Sequence, residues 1–131
     1  MTAQTQAMAL MAKADRACRS ARLLLSASDI DGACNRAYYA MFDAARAVLL
    51  LAHADMEQSA SRTHGGLIAV FSQQMVKAGR VSTEMGKLLN RAHEVRLVAD
   101  YKGDSVELED AVQMLEQADR FVQAMRELVA G

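Results

Sequence analysis

Apolar residues recur every three or four positions along most of this chain, which is the period of an amphipathic α-helix. The sequence contains no proline and no run of alternating β-branched residues. Both features favour helices over strands throughout. Five helices are predicted, over about residues 5–25, 30–54, 64–79, 82–102 and 104–129.

Short polar segments between these helices carry residues typical of helix ends. Candidate N-caps are Ser28 or Asp29, Ser82 or Thr83, and Asp104. Asp104 followed by Glu107 has the spacing of a capping box, and Gly79 is suited to the left-handed conformation that ends a helix. Because short connections favour antiparallel neighbours, we expect an all-α fold. It would be an up-and-down antiparallel bundle of four to five helices, with a single domain over residues 1–131.

The periodicity also predicts which side chains are buried in the last two helices. The fourth helix should bury Met85, Leu88, Ala92, Val95 and Ala99. The fifth should bury Leu108, Ala111, Leu115, Ala118, Val122, Met125 and Val129. Cys18 and Cys34 also fall at apolar-facing positions, so we expect reduced thiols in the core.

Charge is balanced, with 15 Lys and Arg against 16 Asp and Glu. There is no global basic field, so any contact with nucleic acid must be local. The apolar runs are much shorter than the roughly 20 residues that cross a bilayer. The first residues also lack the pattern of a secretory signal. We therefore expect a cytoplasmic protein without membrane contact.

The segment "NRAHEVRLVADY" at residues 90–101 collects polar groups at the end of the fourth helix. Leu89, His93, Arg96 and Asp100 share one stripe because their spacings are four, three and four. In one interpretation Arg96 and Asp100 form an ion pair on a helix surface. In the other, the planar guanidinium of Arg96 binds a phosphate group.

A second stripe on the second helix is formed by Arg36, Tyr39, Asp43 and Arg46. It is either a solvated or salt-bridged edge, or part of the same cleft or of a dimer surface. The adjacent Tyr38 falls on the apolar face and is expected in the core. Either tyrosine has a ring able to stack on a base.

The histidines give no metal signature. His53, His64 and His93 lack a shared ligand spacing, and no glycine-rich phosphate loop is present. We expect no metal and no cofactor. His64 stands at the start of the third helix, where backbone N–H groups favour an anion, and we assign it to a hydrogen bond at that helix start in preference to anion binding.

Four quoted segments carry a family resemblance: "NRAYYAMFDAARAVLL", "RTHGGLIAVF", "GRVSTEMGKLLNRAHEVRLVADY" and the acidic start of the fifth helix. Their order and spacing resemble the HEPN family of nucleotide-binding helical domains, over roughly residues 22–128. The resemblance implies a helical bundle, usually a two-fold homodimer, often encoded beside a minimal nucleotidyltransferase.

Many members of the family are metal-independent ribonuclease toxins in which an Arg is followed after four to six residues by a His. Arg96 matches that Arg, but the following "LVADYKG" contains no His. We therefore predict a non-catalytic module that binds a nucleotide, an RNA phosphate or a nucleotidyltransferase partner in a toxin–antitoxin-like system. The ligand-binding residues would be Asn35, Arg36, Tyr39, Arg96 and Tyr101. For Tyr101 the resemblance also allows modification by such a partner, and the sequence leaves that question open.

Two alternatives stay open at this point. In a rearranged ribonuclease, Arg96 would stabilise the phosphate while His93 or Asp100 moved protons. In a structural adaptor bundle, the same residues would bind no ligand.

Overall fold

The structure, a computed structural model, describes residues 2–52, 63–101 and 106–131, although not the side chain of residue 101. These parts of the chain form five helices and no strand, which confirms the all-α bundle. The helices are α1 (Ala3–Ser26), α2 (Ile30–Ala52), α3 (His64–Phe71, continued by the π-helical turn Ser72–Val76), α4 (Thr83–Tyr101) and α5 (Leu108–Ala130).

The helix starts are fixed by side-chain hydrogen bonds to backbone N–H groups that lack a partner within the helix. Asp29 Oδ1 accepts from the N–H of Gly32 at 2.9 Å, so Asp29 caps α2. Ser82 Oγ accepts from the N–H of Met85 at 3.2 Å, so Ser82 caps α4. Of the candidate N-caps, the structure thus selects Asp29 over Ser28 and Ser82 over Thr83.

The start of α5 differs from the expectation. Glu107 occupies the N-cap position and makes no side-chain capping bond, so it is not the third residue of a capping box. Asp104 lies outside the described residues. Leu108 is also not in the buried seam, since it is 55% exposed. It lies roughly 60° around the helix from the middle of that seam, which is otherwise buried as predicted.

The second helix is the centre of the bundle, because α1, α4 and α5 all pack on it. Alanines dominate the contact of α1 with α2, and both cysteines lie buried as free thiols, as expected. Burial raises the pKa of the Cys34 thiol to about 11, with the carboxylates of Asp31 and Asp110 adding to the effect. The thiols therefore stay protonated and act as small apolar groups. None of the described helices combines the length and the apolar character needed to span a membrane.

Gly79 follows the π-helical turn and has a φ of +80°, as its predicted role in ending the helix requires. Space around it is open, because a Cβ built there meets nothing within 4 Å, and the same holds at Gly65 in the first turn of α3. The two sites thus differ in backbone conformation and not in crowding.

We expect Gly79→Ala to lower the free energy of unfolding by about 1 kcal/mol, since a left-handed conformation strains an L-residue. The matched variant Gly65→Ala should be neutral or stabilising by up to about 1 kcal/mol, because alanine is favoured within helices. Urea denaturation of both variants measures the two effects. A shift of the same sign and size in both would contradict the assignment of Gly79 as a strained turn.

Candidate functional site

Polar and aromatic side chains from three helices meet on one side of the bundle. We refer to them as the polar cluster: Asn35, Tyr38 and Tyr39 of α2, His64 of α3, and His93, Arg96 and Asp100 of α4. The stripe predicted on α4 is therefore real. It faces α2 more deeply than expected, because Leu89 is fully buried and Arg96 is only 7% exposed.

Arg96 is the centre of this cluster. Its Nε lies 2.8 Å from Asp100 Oδ2, and its Nη2 donates to the hydroxyl of Tyr39 at 3.3 Å. Its Cζ is 5.5 Å from the ring centroid of Tyr38 and 5.6 Å from that of Tyr39, within the range of cation–π attraction. The predicted i,i+4 ion pair thus exists, with the guanidinium of Arg96 buried beside two aromatic rings and the carboxylate of Asp100 closer to solvent.

The Asp100 carboxylate also links α4 to α2. It accepts a hydrogen bond from Asn35 Nδ2 at 3.1 Å. Arg36, at the edge of the cluster, places its Cζ 5.1 Å above the ring of Tyr39. Four of the five predicted ligand residues therefore lie together, while the side chain of Tyr101 is outside the described part of the chain.

His64 is the cluster residue whose place the sequence did not predict. The cap of α3 is Thr63, whose Oγ1 accepts from the N–H of Gly66 at 2.9 Å, so the helix-start role expected for His64 is wrong. Instead, His64 Nδ1 lies 2.7 Å from the hydroxyl of Tyr38, and Nε2 lies 3.4 Å from that of Tyr39. Tyr38 is buried in the core as predicted, and this bond satisfies its hydroxyl.

Burial governs the protonation of this cluster. It lowers the pKa of His64 and of His93, and the positive charge of Arg96 lowers both further. Burial also raises the pKa of Tyr38, so its hydroxyl stays protonated and is able to donate to His64 Nδ1. A neutral His64 that accepts at Nδ1 carries its own proton on Nε2, toward Tyr39.

The imidazole of His93 has fewer hydrogen-bond partners than that of His64 among the described residues. It stacks on His64 with ring centroids 6.2 Å apart and an angle of 15° between the rings. Its Nδ1 is buried and has no hydrogen-bond partner among the residues that the structure describes. A buried polar atom in this state is a site where a ligand or water is expected.

Asp43 of the second predicted stripe is not on a solvated edge, because it is only 4% exposed. Burial raises the pKa of its carboxyl, against the opposing positive charges of Lys13, Arg46 and Arg36. The buried face of α2 is wider than a single stripe, and it extends as far as Asp43 where α1 packs on it. In the described ranges, no three His, Cys, Asp or Glu residues are grouped to hold a metal ion.

Fold and site together define a helical bundle in which a buried arginine lies in one cluster with two partly buried imidazoles whose pKa is lowered. Comparison with known proteins assigns its class: the sequence profile of the HEPN domain matches residues 7–128. The chain belongs to the HEPN domain family.

Several relatives match nearly end to end. A UPF0332 protein of Gloeobacter violaceus is 34% identical over 123 residues, which cover 92% of this chain and 94% of the relative. A UPF0332 protein of Thermotoga maritima is 35% identical over 111 residues, covering 83% and 80%. A protein of Methanocaldococcus jannaschii named "Putative toxin" is 28% identical over 118 residues, covering 90% and 84%.

The lowered pKa values of His64 and His93 have a defined consequence for stability. Both side chains are neutral in the folded protein at pH values where the unfolded chain, with a pKa near 6.5, already binds protons. The stabilisation that they give is present above pH 6.5 and is lost as the pH falls toward the folded pKa values. Proton NMR should give both imidazoles midpoints below 6.5.

The variant His93→Gln supplies the control. The wild type should have a higher free energy of unfolding than this variant at about pH 8. That difference should become smaller as the pH falls to about 5, across roughly the range in which histidine titrates. Other titrating groups are common to both proteins and cancel in the difference. An excess that grows on acidification would show that His93 is protonated more readily in the fold, against the burial argument.

Proposed function

We propose that this protein is a toxin-like HEPN module whose polar cluster binds a phosphate group of RNA or of a nucleotide. The observation that carries the proposal is the placement of Arg96 beside two neutral imidazoles, one of which has the unsatisfied Nδ1 of His93. The name of the Methanocaldococcus jannaschii relative supports the toxin-like role.

The chemistry of the cluster suits an anion. A guanidinium offers several N–H donors in a plane that matches phosphate, and it holds its charge at every physiological pH. Because Arg96 itself is buried, its positive charge is weakly screened. A bound phosphate would also raise the pKa of His64 and of His93, so each imidazole would gain a proton and a second donor.

Asp100 already occupies part of this position. Its carboxylate is held by Arg96 Nε and by Asn35 Nδ2, and its side chain is 22% exposed against 9% for that of Arg96. An incoming phosphate must therefore share these donors with Asp100 or displace it. Because of this competition, substitutions at the two members of the ion pair should have opposite effects on RNA binding.

Fluorescence anisotropy with a labelled single-stranded RNA at fixed ionic strength tests this. Arg96→Gln should weaken binding by about tenfold or more, the loss expected for a charged hydrogen bond. Asp100→Asn, which removes the competing charge and keeps the shape, should tighten it severalfold. Arg36→Gln, at the edge of the cluster, should weaken it less than Arg96→Gln.

Arg126→Gln is the matched control, since Arg126 pairs with Asp15 between α5 and α1, away from the cluster. It should leave RNA binding unchanged. Circular dichroism should first establish that each variant folds, because an ion-pair partner left buried alone is destabilising. Weaker binding in Asp100→Asn, or equal losses in Arg96→Gln and Arg126→Gln, would refute the proposed site.

A second candidate function is metal-independent RNA cleavage, and the position of His64 specifically favours it. The family motif takes its His from the residues after the Arg, whereas here α3 brings an imidazole to the same cluster. One neutral imidazole would take the proton of the ribose 2′-hydroxyl as its oxygen attacks phosphorus. A protonated one would give a proton to the leaving 5′-oxygen, with Arg96 stabilising the added negative charge.

Labelled RNA incubated with the purified protein in EDTA tests this candidate. If it holds, His64→Gln and His93→Gln should each slow cleavage by about 10²-fold or more while RNA binding changes little. Arg126→Gln again serves as the control. Absence of cleavage by the wild type, with RNA binding intact, would leave the binding function alone.

The remaining expectations stay predictions. They are the two-fold homodimer, the minimal nucleotidyltransferase partner, the cytoplasmic location and the modification of Tyr101. None of them is needed for the binding experiment, which uses the full chain by itself.

A further inference from the structure

A groove of about 430 Å³ lies between α4 and α5. The α4 residues that line it lie at positions 91, 92, 94, 95 and 98, on the side of the helix opposite to His93, Arg96 and Asp100. Those of α5 lie at positions 110, 113, 114 and 117, which form a second stripe. Each stripe is about two helical turns long, or roughly 10 Å.

The floor of this groove is apolar. It is formed by Ala92, Val95, Val98, Val106 and Met114. Val95 and Val98 are only partly buried by the bundle itself. A partner that covered them would remove apolar surface from water, which is the main favourable contribution in most protein associations.

The rim of the groove is acidic. Glu94, Glu107 and Asp110 are exposed along it, and Arg91 is the one cation among the described lining residues. These three carboxylates form no ion pair with any residue that the structure describes. Three negative charges against one positive charge leave a local charge of −2, which repels phosphate-bearing ligands and attracts Lys and Arg.

We propose that this groove is the docking site for a helical segment of a partner protein that carries apolar side chains flanked by Lys or Arg. Two helices with open space between them present ridges and grooves in which a third helix can pack. The apolar floor would receive its side chains at helical spacing, as in other complexes where a helix binds a groove. The acidic rim would select basic residues beside them and fix their orientation.

The proposed docking site is separate from the phosphate site. The two use opposite sides of α4. Their chemistry favours opposite ligands, because the polar cluster is centred on the guanidinium of Arg96, whereas the groove has three carboxylates near one guanidinium. The groove therefore does not depend on whether the cluster binds RNA.

Two synthetic helical peptides with the same leucine stripe test the proposal, one with flanking lysines and one with flanking glutamates. Anisotropy with the full chain should show that the lysine peptide binds at least about tenfold more tightly than the glutamate peptide. The double variant Glu107→Lys/Asp110→Lys should weaken the lysine peptide by about tenfold or more and reverse the preference. All the substituted residues are exposed, so the fold should be retained.

The double variant Glu109→Lys/Glu116→Lys is the matched control. Both residues are exposed on α5 and neither lines the groove, and the change in net charge is the same. It should alter binding of the lysine peptide by about twofold at most, since exposed charges that make no direct contact with the peptide contribute little. Equal losses in the two double variants, or no binding of the lysine peptide by the wild type, would overturn the proposal.

Sedimentation of the same proteins tests whether a second copy of this chain, and not a partner protein, occupies the groove. If the wild type self-associates and Glu107→Lys/Asp110→Lys alone abolishes this, a second copy of the chain fills the groove and the proposed partner is wrong. If the oligomeric state is the same in both double variants, the charge-selective binding of the peptide belongs to a partner site.

Discussion

The burial of one guanidinium constrains much of this structure. Taking the charge of Arg96 out of water costs several kcal/mol unless hydrogen bonds and an opposite charge replace the lost hydration. The replacement comes from Asp100 one turn away, from the hydroxyl of Tyr39, and from two tyrosine rings. Because these groups belong to two helices, the requirement to satisfy Arg96 fixes how α4 lies against α2. Burial lowers the pKa of His64 and of His93, and the same positive charge lowers both further.

α4 divides two environments with opposite electrostatic character. On one side, Arg96 and His93 of α4 meet His64 of α3 and the tyrosines of α2. On the other side, Glu94 of α4 and the carboxylates of Glu107 and Asp110 surround the apolar floor of the groove. A chain with a net charge of −1 has no overall field that would direct a ligand, so local charge must do so. The proposed phosphate site and the proposed partner site would thus rest on a separation of charge across this one helix.

What the sequence predicted was local. Helical periodicity located the helices, Gly79 and Asp29 marked their ends, and the spacing of Arg96 and Asp100 gave the ion pair. Periodicity defines the faces of a helix, but it does not say which helix lies opposite. The bond between Tyr38 and His64, 26 positions apart, and the burial of Asp43 under α1 both depend on that packing. So does the exposure of Leu108, which lies at the margin of its stripe.

The difference between local spacing along a helix and packing between helices also bears on the histidine missing after Arg96. A motif places an arginine and an imidazole close together because a helix fixes the distance between nearby positions, but chemistry requires only that the groups meet. Here the imidazoles reach the cluster of Arg96 from three residues before it and from a different helix. The absence of His after Arg96 therefore does not leave the cluster without a proton acceptor. In the free protein the positive charge of Arg96 opposes protonation of these imidazoles. A bound phosphate would offset that charge and raise their pKa values, so their ability to transfer protons depends on the bound anion.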